Sequence, residues 1–427
     1  MVKYLKRLKY QVSDLTLGWR MRWSRVLAVI GPGYLISLGY YDPGNWATDI
    51  SAGAEAGMAM LWVILLSSIV GVFLQIMSLK IAYSTGSHLA ELLRDQLSWW
   101  QWPPVWLATE GAMIATDIAE LMGGAIAFYL LFDIPILVGM VMAGVVTMVT
   151  LTVPWAQGRF AERFLGLLVV MVVAGLLYEI IMVRPDVAEV VRGFIPQSET
   201  LQDKKFLYLS LGIIGATIMP HNLFLHTGLA AHRFGDSTGV KRQMLYRWLR
   251  RDTALSLALA FIVNAAILVV AAEAFKGHSL PGEVGIADAW GLIHSNLGPI
   301  AAAVFALSLL AAAQGATTTG TMAGQLVTEG FLRLRIKPFY RALVTRLMVL
   351  LPAILIPSLV SAETSNQLLV LTQVLLSLAL PIIILPMLLM LRSRRLMGNG
   401  RISLTQFGFG LVVTVLLVVA NAIWMLG

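Results

Sequence analysis

Apolar residues dominate this chain in runs of about twenty, closed by short stretches of Lys, Arg, Gly, Pro or Asp, with no barrel-like alternation of polar and apolar positions. Runs of that length match helices crossing a hydrocarbon core of about 30 Å. Eleven spans are expected, at 27–58, 61–83, 105–131, 136–153, 165–182, 206–231, 254–272, 300–327, 343–359, 368–391 and 407–426. Two of them are interrupted: the first by Asp42-Pro43-Gly44-Asn45 and the sixth by Met219-Pro220-His221-Asn222. In a bilayer no water satisfies a freed backbone group, so such a break survives only where protein or a water-filled cavity surrounds it.

Counted from the start of its own span, each break falls at nearly the same depth. Spans one to five (27–183) and six to ten (206–391) therefore read as two five-helix repeats, inverted because five is odd. The flanking pieces are an N-terminal arm at 1–26, an outside loop at 184–205, and a loop plus eleventh helix at 392–427. The eleventh span lies outside the repeat and is expected at the periphery. The fold class is an all-α integral membrane protein.

Composition agrees, with 58% hydrophobic residues, 13% charged and a mean hydropathy of +0.80 over 427 residues. Cysteine is absent, which excludes disulfides, thiol redox chemistry and cysteine-ligated metals. The start, Met1 to Arg7, is too polar for a signal-peptide core, so no cleaved segment is expected.

The net charge of +8 has a topological cause. With the N-terminus inside, the arm holds seven basic residues and the other inside loops hold most of the rest, including Lys241, Arg242, Arg247, Arg250, Arg251 and Arg341. Outside loops receive only Arg184, Arg192, Lys204, Lys205 and Lys276, while Arg346 falls in the cytoplasmic part of the ninth span. That asymmetry places the N-terminus in the cytoplasm and the C-terminus outside. It also explains the basic cluster at 247–251 without nucleic acid, and no obligate protein partner is evident. Short loops fit a bacterial plasma (inner) membrane.

The breaks carry the first candidate chemistry. Asp42, Asn45 and Met219 converge if the first and sixth spans break side by side, and the break before Met219 frees a carbonyl one turn earlier, that of Ala216. Carboxylate, amide and carbonyl oxygens suit most divalent cations, whereas a thioether is soft and contributes little to calcium or magnesium. The set favours manganese(II), iron(II) and their heavier neighbours. Most of the 20 methionines simply pack, but two matched breaks argue against mere kinks.

Glu110, Asp117 and Glu120 share one face of the third span, since offsets of seven and three residues return close to the same angle. Any one could be a structurally paired acid. Three together, facing a bundle that holds His221, His226 and Arg346, read as a proton path. His221 and His226 are five apart, so only one of them faces the site in a regular helix. In the tenth span, Gln373 either bonds another helix or completes an ion's coordination, and its sequence context favours the first. Gln314 to Thr321 in the eighth span combines small residues and hydroxyls, which by default mean close packing.

With these residues in place, the chain resembles the natural resistance-associated macrophage protein family of proton-coupled divalent metal transporters. The resemblance rests on Asp42 to Ile50, Ile114 to Glu120, Met219 to His226 and Gly320 to Gln325. It implies a LeuT-type fold with an added helix. It also implies metal ligation by Asp42, Asn45, Met219 and the Ala216 carbonyl, with Gln373 joining in some states. Proton transfer would involve Asp42, Glu110, Asp117, Glu120, His221 and Arg346. One departure is the eighth span, where Ala313-Gln314-Gly315-Ala316-Thr317 stands for the usual Gly-Gln-Ser-Ser-Thr. Relatives that carry magnesium or aluminium replace the sixth-span methionine, which is kept here as Met219.

The expected function is therefore proton-driven import of manganese(II), with iron(II), cobalt(II) and cadmium(II), by alternating access. The metal is substrate, and no cofactor is expected. A magnesium carrier of the same fold and a passive channel are the alternatives. A membrane-embedded metal hydrolase is disfavoured, because no His-Glu-x-x-His pattern is present.

Overall fold

The computed structural model describes residues 32–152, 159–196, 203–235, 237–277, 284–355 and 362–426. The N-terminal arm, the start of the first span and the ends of the fourth and ninth spans lie outside the described residues. Among the described residues, every predicted span falls on helix, the first and sixth in two pieces. The first comprises α1 (Pro32–Ser37), a 3₁₀ turn (Gly39–Tyr41) and α2 (Pro43–Ala56); the second is α3 (Leu61–Thr85). A short amphipathic α4 (Leu89–Gln96) follows, then α5 (Trp102–Phe132), α6 (Ile136–Thr152), α7 (Arg159–Val183) and a small α8 (Val187–Gly193). The second half runs through α9 (Lys204–Ile218), α10 (Pro220–Phe234), α11 (Gly239–Phe275), α12 (Ile286–Leu297), α13 (Pro299–Leu332) and α14 (Pro338–Leu355). It ends with α15 (Ala362–Arg392), α16 (Arg394–Met397) and α17 (Leu404–Leu426).

Eight helical stretches among the described residues are long and apolar enough to cross a membrane. The number is lower than eleven because Pro43–Thr85 runs as one stretch through the first two spans, Ile136–Val149 is short, and α14 is not among the eight. Burial separates centre from rim. The most apolar windows of α5 and of the broken α9–α10 pair are each 72% buried, against 22% for α17, which packs on α15 and α9 at the periphery. Pro43 to Gly53 of α2 are buried as well, so both broken helices are surrounded by protein at their breaks, the condition under which freed backbone groups are tolerated in a bilayer.

One expectation changes. The basic stretch before the seventh span is helix, since α11 starts at Gly239 and continues through Arg251 into the apolar part. Its Arg242 does more than mark topology. The guanidinium lies 5.2 Å from the Phe234 ring and donates to the Tyr83 carbonyl through Nε at 3.0 Å and Nη2 at 2.6 Å. It thereby satisfies a last-turn carbonyl of α3, where a cation also complements the helix dipole.

Candidate metal centre

Proline suits the start of α2, because the N–H it lacks would be unpaired in the first turn. Asp42 caps that helix, its Oδ1 accepting from the Asn45 backbone N–H at 2.8 Å. Its Oδ2 is buried with no partner. Asn45 donates Nδ2 to the Tyr40 carbonyl at 2.9 Å, and its Oδ1 is likewise buried and unpartnered.

The second break lies at Met219, between α9 and α10, where a non-glycine residue adopts φ 41° and ψ 98°. Its N–H donates to the Gly215 carbonyl at 3.2 Å. The Ala216 carbonyl would take its helical donor from residue 220, and Pro220 has none. The same proline thus breaks the helix and frees the predicted carbonyl. Met219 is completely buried, its sulfur accepting from Asn222 Nδ2 at 3.3 Å.

Close approaches at three glycines join the two breaks. A Cβ on Gly39 would stand 2.6 Å from Asn222 Nδ2, so Asn222 links the Met219 sulfur to the first break. A Cβ on Gly44 would stand 1.8 Å from Gln373 Nε2, and one on Gly215 would stand 1.9 Å from the Gln373 carbonyl oxygen. Gln373 therefore touches the first break with its side chain and α9, one turn before Met219, with its backbone. Its Nε2 donates to Thr372 Oγ1 at 3.1 Å, and its Oε1 has no partner.

Four buried oxygens without donors consequently sit on or against the breaks: Asp42 Oδ2, Asn45 Oδ1, Asn222 Oδ1 and Gln373 Oε1. An unmet buried acceptor costs about 1–3 kcal/mol, more when charged, and a hard cation would satisfy several at once. Only one of the four is a carboxylate. No cluster of three or more His, Asp or Glu able to hold a metal occurs among the described residues.

The acids of α5 meet arginines of α14. Glu110 Oε1 accepts from Arg341 Nη2 at 2.9 Å, Glu120 Oε2 accepts from Arg346 Nη2 at 3.1 Å, and Arg346 Nη1 donates to Asp117 Oδ1. Arg341 was expected in a loop. Instead it is buried in the first turn of α14, also donating Nε to Thr328 Oγ1 at 2.8 Å. Charge counting assigns any arginine near a span end to a loop, which hides a pair formed with a distant helix.

The two histidines part as their spacing requires. His221 Nδ1 lies 3.3 Å from Thr116 Oγ1, beside Asp117 on α5. His226 bonds Gln75 Oε1 through Nδ1 at 3.0 Å and Thr253 Oγ1 through Nε2 at 3.3 Å, and Gln75 Nε2 donates to the Tyr40 hydroxyl at 3.1 Å. It is thus the packed, hydrogen-bonded histidine, away from the acids. The altered eighth-span motif packs against the first span. A Cβ on Gly315 would stand 3.1 Å from Leu38 Cδ2, just ahead of the first break, and the Thr317 hydroxyl donates to the Ala313 carbonyl of its own helix at 2.8 Å.

A family model described as natural resistance-associated macrophage protein-like matches residues 33–427. The chain belongs to that family. Among relatives of this Nramp-like chain, the divalent metal cation transporter MntH of Bradyrhizobium diazoefficiens is 40% identical over 427 residues, covering 98% of this chain and 93% of that one. The crystal structure of the Eremococcus coleocola manganese transporter, in complex with an aromatic bis-isothiourea compound, superposes with a TM-score of 0.81 at 32% identity, covering 96% of this chain and 88% of that one. Mhp1, a nucleobase-cation-symport-1 family transporter in a closed conformation, shares the fold alone, with a TM-score of 0.60 at 17% identity over 88% of this chain and 81% of that one. The fold of this Nramp-like chain is the LeuT type, with inverted repeats and an added eleventh helix.

Proposed function

We propose that this chain imports divalent transition-metal ions, chiefly manganese(II), with iron(II), cobalt(II) and cadmium(II) as further substrates. The observation that carries the proposal is the set of unpartnered oxygens of Asp42, Asn45 and Gln373 beside the Met219 thioether and the carbonyl freed by Pro220. Asp42 supplies the charge, while Asn45, Gln373 and the Ala216 carbonyl supply neutral oxygens. Met219 adds a soft donor that manganese and its neighbours accept better than calcium or magnesium do. The relatives named above carry the same cargo class in their names, which supports the reading.

Import is driven by protons. Protons pass from Asp42 along the α5 acids, with Asp117 and Glu120 held by Arg346, Glu110 beyond them, and His221 beside Asp117. The bundle rocks around the two breaks to expose the ion to each side in turn. The chain resides in the plasma membrane with its N-terminus in the cytoplasm.

The test is manganese(II) uptake into proteoliposomes carrying a pH-sensitive dye, with Asp42→Ala and Met219→Ala as variants. Uptake that acidifies the lumen, ignores excess magnesium and vanishes in Asp42→Ala is the expected result, with magnesium competition gained in Met219→Ala. If magnesium competes in the unmodified protein, the magnesium carrier replaces this reading. Metal flux without proton flux would make the protein a channel.

A further inference from the structure

Glu179 takes no part in the site above. It stands on α7 about one turn from the helix end, its side chain is wholly buried, and neither carboxyl oxygen has a partner. It lines a gap between helices that is too narrow to admit a water molecule. The facing walls are Ile50 of α2, Val270 and Ala271 of α11, Ala289 and Ile293 of α12, and Phe305 of α13. No other titratable group lines the gap from any of these elements. The ionisable groups nearest along them are engaged elsewhere or face outward: Asp288 of α12 accepts from the Gly285 N–H at 2.9 Å, His294 of α12 is exposed with its ring centroid 5.4 Å from that of Trp290, and Glu273 of α11 lies 3.6 Å from Lys276. Asp49, next to Ile50 on α2, is buried and does not line the gap.

A carboxylate in such a place has neither counter-charge nor solvent, so the group is a neutral acid while the gap is closed. Two elements close it. One is α2, which is capped by Asp42 and reaches the gap at Ile50, eight residues on; the other is α12, a helix between the seventh and eighth spans that roofs it with Ala289 and Ile293. Displacement of either admits water.

We propose that Glu179 is a proton-binding site of its own, separate from the acids of α5, which couples protonation to the opening of the α12 side of the protein. With α12 seated, the carboxyl holds its proton. When α12 lifts, the O–H bond breaks, the proton passes to water on that side and the carboxylate remains solvated; reclosing requires a proton to be taken back from the same side. Low pH on the α12 side therefore favours the closed form and high pH the open form. The proposal rests on the transport reading only for its purpose, since the gating equilibrium exists whether or not metal is carried.

The chain has no cysteine, which allows a direct test. Ala289→Cys, in the roof of the gap, is labelled with a membrane-impermeant thiol reagent in full-length protein in proteoliposomes, and its rate is divided by that of the exposed Ser295→Cys to remove the thiol's own titration. The normalised rate is expected to rise by up to about tenfold per pH unit between about pH 6 and about pH 8, the limit for one proton, and to lose that rise in Glu179→Gln. A flat profile with Glu179 present overturns the proposal, and this arm needs no further variant to fold. An unchanged rise in Glu179→Gln overturns it too. Failure of manganese uptake in the unmodified protein would overturn the transport reading and leave this profile readable.

Discussion

Asp42 ties one carboxylate oxygen to the helix it caps and presents the other to the interior with no donor. Gln373 does the same with an amide, its nitrogen bonded to Thr372 and its oxygen unpartnered. Each ligand candidate is thus oriented by one bond and left open by the other, the pattern that holds a binding group in place before its ligand arrives. Gly44 makes this possible, because a Cβ there would stand 1.8 Å from Gln373 Nε2. Gly44→Ala is expected to lower manganese uptake about tenfold or more without loss of membrane insertion, by expelling the Gln373 side chain. Adding Gln373→Ala should restore part of that loss, a non-additivity that double-mutant uptake assays would register.

At the scale of the helix, Pro220 decides what the Ala216 carbonyl can do. Pro220→Ala returns the missing N–H, so the carbonyl regains a helical partner and is drawn from the site. The expected result is weaker manganese binding, by several-fold to tenfold for an interaction of about 1 kcal/mol, with thermal stability unchanged or raised. Binding measured by calorimetry against a melting curve separates the two effects. The pairing of α5 with α14 predicts the opposite balance. Arg346→Leu leaves Asp117 and Glu120 unpaired in the interior and should cost about 3–5 kcal/mol of stability, part of which returns when Asp117→Asn and Glu120→Gln are added. Unfolding in detergent would show whether it does.

What was legible in the sequence follows the same line. A proline beside polar residues in an apolar run violates the rule for lipid-exposed backbone, so both breaks and the Ala216 carbonyl are legible from the sequence alone. The face shared by Glu110, Asp117 and Glu120 followed from helix geometry. Contacts between helices were not visible, because Asn222 against Gly39 and Arg341 against Glu110 join residues far apart along the chain through side-chain packing. Basic residues of α11 looked like a loop because composition does not tell an exposed helix from a turn. Glu179 carries no such signal, since one acid near the end of an apolar run reads as a boundary.

Across the whole molecule, the bilayer imposes an orientation that cysteine labelling can read. Lys205→Cys should react with an impermeant reagent in intact cells, and Arg247→Cys only after permeabilisation, if the basic loops face the cytoplasm. The reverse pattern would invert the direction of transport. The centre-to-rim gradient of burial bears on tolerance as well. Substitutions on α17 should matter least except at Asn421, which accepts from Ser377 Oγ at 2.9 Å and donates to the Ser377 carbonyl at 3.3 Å.

The meeting of Gly44 with Gln373 also limits the chain's history. Any larger residue at 44 must wait until 373 has been shortened, and shortening 373 first removes an oxygen from the ion's surroundings. Neither step is open alone while the cargo matters, so the two positions should be inherited together, and a lineage in which both have changed has also changed what it carries.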